Sequence, residues 1–445
     1  MRKTIVAVMW CARFGAAQEA LSLKDAVHEA LARNKSVEAA GYAGKSAESR
    51  LLEARSGALP KVNYMESWTR SDNPVFVFSS LLTQHEFAEQ NFQIGTLNRP
   101  AFLNNFQSQV TVDQSLFDAG GTKRAIRGAE LGKQLTAEEK RRTDMEVMAT
   151  VVRAYFDALL SAEQEGATAQ SMRSVQADLE RAEAVRAAGM STDVDVLSIR
   201  VHLAAVREEE IRRTADLEVA RAALNDAMGL PLDSPHRLST ALVPLPLLPG
   251  VLADYEGRAV NERPEAKQAA LSTRLAENSL ASARSGYLPQ VGAHAAFEAD
   301  RQRFYDKGGG NWLVSISLKW NLFNGFQDKA RIQESTFALH RSEAETAQTS
   351  STVRLQVRRA FADLRAAGQR LEVTAASVAE AEESLRITQN RYQAGFATVT
   401  ELLSAETALW ETRTRRLRAI HDQRIAAAML ELAAGTLTGD SEVWN

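Results

Sequence analysis

Cysteine is all but missing from this chain. The only one, Cys11, falls within the first 20 of 445 residues, so the rest offers no disulfide and no thiolate chemistry. Proline is confined: all ten lie between Pro60 and Pro289, and 101–230 and 290–445 contain none. A proline inside a helix costs about 3 kcal/mol, so windows of this length without one permit very long helices. Long apolar runs are lacking too. The segment 241–253 is apolar but carries Pro244, Pro246 and Pro249, which makes it a linker and not a span. A membrane-spanning helix is excluded, and a membrane β-barrel is not. An excess of charge of either sign is lacking, with a net charge of −3, and no nucleic acid partner is expected. The one basic cluster, Arg413, Arg415, Arg416 and Arg418, follows Glu411 and precedes Asp422, as on a solvated helix face.

Signals of chemistry are also absent. No glycine-rich loop carries the Lys-Ser/Thr of a phosphate cradle, and the seven histidines show no metal-ligand spacing. His202 and His340 are lone residues on helices. The expectation is a protein that is not an enzyme, with no catalytic residue, no metal and no cofactor.

The N-terminus reads Met1-Arg2-Lys3, then the apolar run Thr4 to Ala12, then Gly15-Ala16-Ala17. This is the pattern of a secretory signal peptide over 1–20, cleaved near 17–20, although Arg13 interrupts its apolar region. Cys11 is alternatively readable as a lipidated cysteine, for which Trp10 is a poor predecessor.

What is present is a duplication. Ala54-Arg55-Ser56-Gly57-Ala58-Leu59-Pro60-Lys61-Val62 returns as Ala283-Arg284-Ser285-Gly286-Tyr287-Leu288-Pro289-Gln290-Val291, identical at seven of nine positions. Leu116-Phe117-Asp118 returns as Leu322-Phe323-Asn324, and Ala188-Gly189 as Ala394-Gly395, both 206 residues later. Phe117 to Gly189 and Phe323 to Gly395 therefore both span 72 residues, a length that geometry enforces twice. The organisation read from this is a first repeat over 21–240, a linker over 241–253 and a second repeat over 254–445.

Within the proline-free windows apolar residues recur at helical spacing, as in Val151, Val152, Tyr155, Phe156, Leu159 and Leu160. A helix from about Thr122 to Ala188 and its copy from about Gln327 to Ala394 are each roughly 100 Å long at about 1.5 Å per residue. Rods of that length must pack along other helices in coiled-coil fashion. Each ends at a glycine followed by a new N-cap: Gly189 then Thr192, Gly395 then Thr398. The chain turns back, giving helical hairpins over about 122–228 and 327–434. Shorter helices precede the rods; Ser22-Leu23-Lys24-Asp25 is a capping box, and Asn34 and Pro264 mark the next starts.

Between short helix and rod the period switches to two. Trp312, Val314, Ile316, Leu318 and Trp320 alternate with mostly polar residues in a strand over about 312–322. Its partner covers about 290–300, with a turn at Gly308-Gly309-Gly310. The first half has strands at about 61–70 and 108–117, joined by a longer loop over 71–107. Tryptophans bracketing an apolar band on a strand of about ten residues mark an outer-membrane barrel wall. Four strands cannot close a barrel and open edges are not tolerated in lipid, so several chains must each contribute four.

In the order, duplication and spacing of these pieces the sequence resembles the TolC-like outer-membrane efflux protein family over essentially the whole mature chain. The matching pieces are Leu21-Ser22-Leu23-Lys24-Asp25-Ala26, Asp72-Asn73-Pro74-Val75-Phe76-Val77-Phe78, Leu116-Phe117-Asp118 with Gly120-Gly121, and Arg391-Tyr392-Gln393-Ala394-Gly395. The resemblance implies a mainly α fold with a small β part. Long antiparallel hairpins would form a trimeric α-barrel crossing the periplasm, and four strands per chain a 12-stranded barrel in outer-membrane lipid. It implies a homotrimeric exit duct of a tripartite efflux or type I secretion system, with a periplasmic adaptor and an inner-membrane transporter of RND, ABC or MFS type as partners. A periplasmic adaptor and a structural coiled coil are the alternatives; the first has one hairpin and no such duplication, and the second leaves the strands unexplained.

Gly189, Thr192, Gly395 and Thr398 then mark the periplasmic tips where the adaptor docks. Asp195 and Glu401, each six residues past a tip glycine, would ring the narrowest part of the duct as a cation-favouring, pH-sensitive constriction, or else serve only to complement the helix dipole. Tyr392 matches a family tyrosine that holds the duct closed. The family's arginine two residues past the second glycine is Ala397 here, and its second aspartate is Ser404.

Overall fold

The computed structural model describes residues 20–246 and 250–444. The leader read at 1–20, including Cys11 and the cleavage region, lies outside them but for Ala20. The fold is mainly helical with a small sheet part. Four helices dominate: α5 (Gly121–Ala187) and α9 (Gln327–Gln393), of 67 residues each, and their return helices α6 (Asp193–Met228) and α10 (Val399–Ala434), of 36 each. Two compact units cut across the sequence halves. One comprises the residues up to Tyr42, Glu138–Gln268 and Ala347 onward, and the other Ala43–Ala137 and Ala269–Thr346.

In the first unit the helices bury a coiled-coil seam. Met145, Met148, Val152, Tyr155 and Leu159 on α5 alternate three- and four-residue steps, as do Val353, Val357, Ala360, Leu364 and Ala367 on α9. Helix α1 (Leu23–Arg33) opens with the Ser22–Asp25 capping box and buries Leu23, Ala26, Val27 and Ala30. Its counterpart is α7 (Leu252–Glu262). A two-residue parallel pair, β1 (Ala20–Leu21) with β4 (Arg237–Leu238), is pinned by the fully buried Tyr155. The Tyr155 hydroxyl donates to the Leu21 carbonyl at 2.7 Å and accepts from the Thr240 N–H at 3.2 Å.

The second unit holds a four-stranded antiparallel sheet in the order β2 (Lys61–Ser71), β3 (Leu103–Phe117), β5 (Gln290–Arg301), β6 (Gly309–Lys319). Helix α2 (Lys35–Ser56) leads into β2, and α8 (Pro264–Arg284) into β5. Two strands differ from their sequence reading. The last strand is shifted from 312–322 to 309–319, because Gly309 and Gly310 pair with Asp300 and Ala299 and extend the ladder. Trp320 therefore lies just past the strand, where its indole N–H donates to the Tyr287 carbonyl at 3.1 Å. Strand β3 starts five residues earlier than read, Leu103–Gln107 pairing with Ser71–Ser67. The segment 71–107 is also more than a loop: it folds into α3 (Pro74–Thr83) and α4 (Ile94–Asn98). Asn73 caps α3, its side-chain oxygen accepting from the N–H of Val75 and Phe76, with Pro74 at the first helical position.

Candidate functional site

Strand register sorts the sheet into two unlike faces. The row Tyr64, Val110, Phe297, Trp312 and the row Val62, Val112, Ala295, Val314 lie on one face, joined by Ile316 and Leu318. Trp312, Val314, Ile316, Leu318 and Trp320 are all exposed, as are Val62, Tyr64 and Phe297. The opposite face carries Lys61, Asp113, His294 and Ser315 in one row, with His294 Nδ1 2.7 Å from Asp113 Oδ1. Strands β2 and β6 each have one unpaired edge. A one-sided apolar face of this size has no solvent rationale.

The apolar face holds one charged cluster. Arg301 Nη2 lies 2.9 Å from Glu66 Oε1 and Arg301 Nη1 donates to Ser108 Oγ at 2.7 Å, while Tyr64 donates to Glu66 at 2.8 Å. The pair joins β2 to β5 across β3.

At the other candidate site, both tips have the same construction. Gly189 and Gly395 take φ of 77° and 78°, the left-handed region that favours glycine. Paired backbone bonds close each rod: Met190 N–H to Val185 O with Gly189 N–H to Arg186 O, and Phe396 N–H to Arg391 O with Gly395 N–H to Tyr392 O. Thr192 and Thr398 then cap the return helices in reciprocal capping boxes with Asp195 and Glu401. Asp195 Oδ2 accepts from the Thr192 N–H at 3.1 Å, the Thr192 hydroxyl at 2.8 Å and the Ser191 hydroxyl at 3.0 Å. Glu401 Oε2 accepts from the Thr398 N–H at 2.7 Å. Thr192's hydrogen bonds hold the Asp195 carboxyl below the usual carboxylate range, and those of Thr398 do so for Glu401.

Tyr392 is half-buried against an apolar cluster of Val175, Leu179 and Ala182 on α5, Val196 and Ile199 on α6, and Val399 on α10. Burial, then the charges of Asp195 and Asp178, raise the pKa of its phenol. The tip thus brings Tyr392 and Asp195 into one electrostatic neighbourhood. Glu401 is engaged instead by Thr398 and by the charge of Arg391. Ser404 is exposed and, with Val194, Leu197, Val201 and Leu403, lines an apolar groove of about 720 Å³ between α6 and α10.

Sequence reasoning missed two acids just above the tips, Asp178 on α5 and Glu406 on α10, both buried. They occupy seam positions: Val175, Asp178, Ala182 and Leu402, Glu406, Leu409 keep the three–four step. A charge at a seam position is a signal that a heptad count would have found. Among the described residues no group of three or more metal-ligating side chains occurs.

Comparison with known proteins agrees with this geometry. The model of the family described as outer membrane efflux protein matches residues 26–230 and 257–436. The alkaline protease secretion protein AprF of Pseudomonas aeruginosa is 24% identical over 94% of this chain and 85% of its own length. Protein CyaE of Bordetella pertussis is 27% identical over 77% of this chain and 73% of its own. Among solved structures, the CmeC outer membrane channel of Campylobacter jejuni superposes with a TM-score of 0.79 at 14% identity, covering 95% of this chain and 87% of that one.

Proposed function

The chain belongs to the outer membrane efflux protein family, and from that premise we propose that three copies form the exit duct of a tripartite efflux or secretion system. The protein is an outer-membrane channel that reaches into the periplasm, in a family of conduits and not of enzymes. It works beside a periplasmic adaptor and an inner-membrane transporter, of RND, ABC or MFS type. The relatives named for protease secretion, AprF and PrtF, support the secretion branch.

The observation that carries the reading is the sheet. It has two open edges and an exposed apolar face on one side only, so an isolated copy would present unpaired backbone to lipid. Three copies joined edge to edge make a 12-stranded barrel with Trp312, Val314, Ile316, Leu318 and Trp320 toward lipid and the His294–Asp113 face toward the lumen. In this reading the chain is two repeats, 21–240 and 254–445 about a linker, and each copy contributes two hairpin tips to one ring. The equal 67- and 36-residue helices support this.

The tips built on Gly189, Thr192, Gly395 and Thr398 receive the adaptor. Exposed apolar residues beside them, Met190 and Phe396, support that role. Asp195 and Glu401 keep negative charge at the constriction because their caps favour the ionised form, and Tyr392 braces it from the side. With Ala397 in place of an arginine, closure relies on other contacts.

Asp195→Asn combined with Glu401→Gln tests the aperture. In planar bilayers the variant is expected to lose cation selectivity at fixed pH; unchanged selectivity and conductance would refute that role. Recovery of the wild-type protein from the soluble periplasm would reject the duct itself.

A further inference from the structure

Asp178 and Glu406 stand 11 residues before Gly189 and 11 after Gly395, on the long helix of one hairpin and the return helix of the other. Only 6% of Asp178 and 7% of Glu406 is exposed. Each has one oxygen served: Arg181 Nη1 donates to Asp178 Oδ1 at 2.6 Å, and the Ser174 hydroxyl donates to Glu406 Oε1 at 3.2 Å. The other oxygens, Asp178 Oδ2 and Glu406 Oε2, meet no donor. Ser174 lies one helical turn before Asp178 on the same face of α5, so its bond to Glu406 brings the two carboxyl groups into one place in the seam.

Two ionised carboxylates cannot share a buried seam position without strong repulsion, and one arginine cannot neutralise both. A single proton between the orphan oxygens removes the repulsion and satisfies both atoms, one as donor and one as acceptor. A cation explains the site less well. Arg181 already supplies a positive charge, and two carboxylates with one hydroxyl are a thin ligand set.

We propose that Asp178 and Glu406 share one proton, and that this bond is a pH-operated clasp fastening α10 to α5 above the tips of the duct. The proposal rests on the exit-duct reading and adds its regulation. When the proton leaves, like charges face each other in an apolar seam, α10 separates from α5, and the constriction widens.

The surroundings support a proton. Burial, then the hydrogen bond and charge of Asp178, push the Glu406 carboxyl up to about 8. A carboxyl raised in the folded state holds its proton across the neutral range, so the clasp is closed there and is lost as the pH rises through about 8. On α5 the facing groups are Arg181 and Ser174. On α9 Tyr392 feels the charges of Asp195 and Asp178, and Glu382 of the same helix pairs at 2.7 Å with Arg413, which lines the small cavity beside Glu406. On α6 Asp195 is committed to its cap, and burial lowers the pKa of His202, leaving it neutral.

The test is single-channel recording of the full protein in planar bilayers from pH 6 to pH 9, wild type against Glu406→Gln. Gln keeps a donor for Asp178 Oδ2 and cannot ionise. Wild type is expected to open several-fold more with a midpoint near pH 8, while Glu406→Gln stays at its low-pH level throughout. A variant that titrates like wild type overturns the clasp. Infrared difference spectra of the wild-type protein give a second readout that needs no variant: a protonated-carboxyl C=O band should disappear between pH 6.5 and pH 9. Absence of that band at pH 6.5 overturns the shared proton. Wild type that never conducts would count against the duct, and the infrared band would then decide the clasp alone.

Discussion

Gln423 on α10 exchanges two hydrogen bonds with the backbone of Leu245. Its Oε1 accepts from the Leu245 N–H at 3.0 Å and its Nε2 donates to the Leu245 carbonyl at 3.1 Å. The neighbouring Arg424 donates from Nε to the Val243 carbonyl at 2.8 Å, with its guanidinium over the Phe156 ring. The apolar segment over 241–246 is therefore fastened to α10 at Val243 and Leu245, which supplies the pairing a sheet would otherwise give its backbone. Gln423→Ala leaves a half-buried N–H and carbonyl of Leu245 without their partner, at a cost of about 1 kcal/mol. Limited proteolysis should cut the variant within 241–253 faster than wild type while the helical signal in circular dichroism stays the same.

Tyr155 makes a similar prediction in the same unit. Its buried hydroxyl bridges the Leu21 carbonyl and the Thr240 N–H, so Tyr155→Phe removes partners from both without changing the packed ring. A loss of about 1–2 kcal/mol is expected from denaturant midpoints. An unchanged midpoint would mean that water replaces the hydroxyl.

The tip caps carry a pH signature of opposite sign to the clasp. Asp195 and Glu401 are held below their ordinary range, so their contribution is full above about pH 4–5 and is lost as the pH falls through their lowered values. Thr192→Ala should cost about 1 kcal/mol of local helix stability at neutral pH, read as faster amide exchange over the first turn of α6. The difference from wild type should shrink as Asp195 protonates in acid.

How much of this was legible in the sequence depends on the kind of signal. The mainly helical class with a small sheet followed from the proline-free windows and the switch to period two, both of which are local and strong. Asn73-Pro74 spells an N-cap and a first-turn proline for α3, a local signal that its place between two strands masks. The shifted end of β6 is masked for a different reason. Consecutive glycines spell a turn, yet the neighbouring strand offers Gly309 and Gly310 ladder partners, and that is a tertiary fact. Asp178 and Glu406 were hidden because composition counts them as ordinary surface acids; only the heptad phase sets them inside.

On the exposed apolar face, Trp312→Lys places a charge where lipid is expected. At the edge of the apolar band, where the tryptophans lie, the cost should be about 0–1 kcal/mol, and Ile316→Lys in the middle of the band should cost about 2–4 kcal/mol. The check is the yield of heat-modifiable protein in outer-membrane extracts, with Ser315→Lys on the opposite face of β6 as the control that should assemble normally.

The central claim is that copies close a barrel edge to edge, β6 of one against β2 of the next. The sequence has one cysteine, Cys11, so in a Cys11→Ser background introduced cysteines report without interference. The most direct measurement is oxidative cross-linking in outer membranes of chains carrying Asn63→Cys on β2 together with Ser315→Cys or Ser317→Cys on β6, read on non-reducing gels. A ladder of dimer and trimer that stops at three chains is the predicted result; monomer alone from every pair, in protein that reaches the membrane, would contradict it.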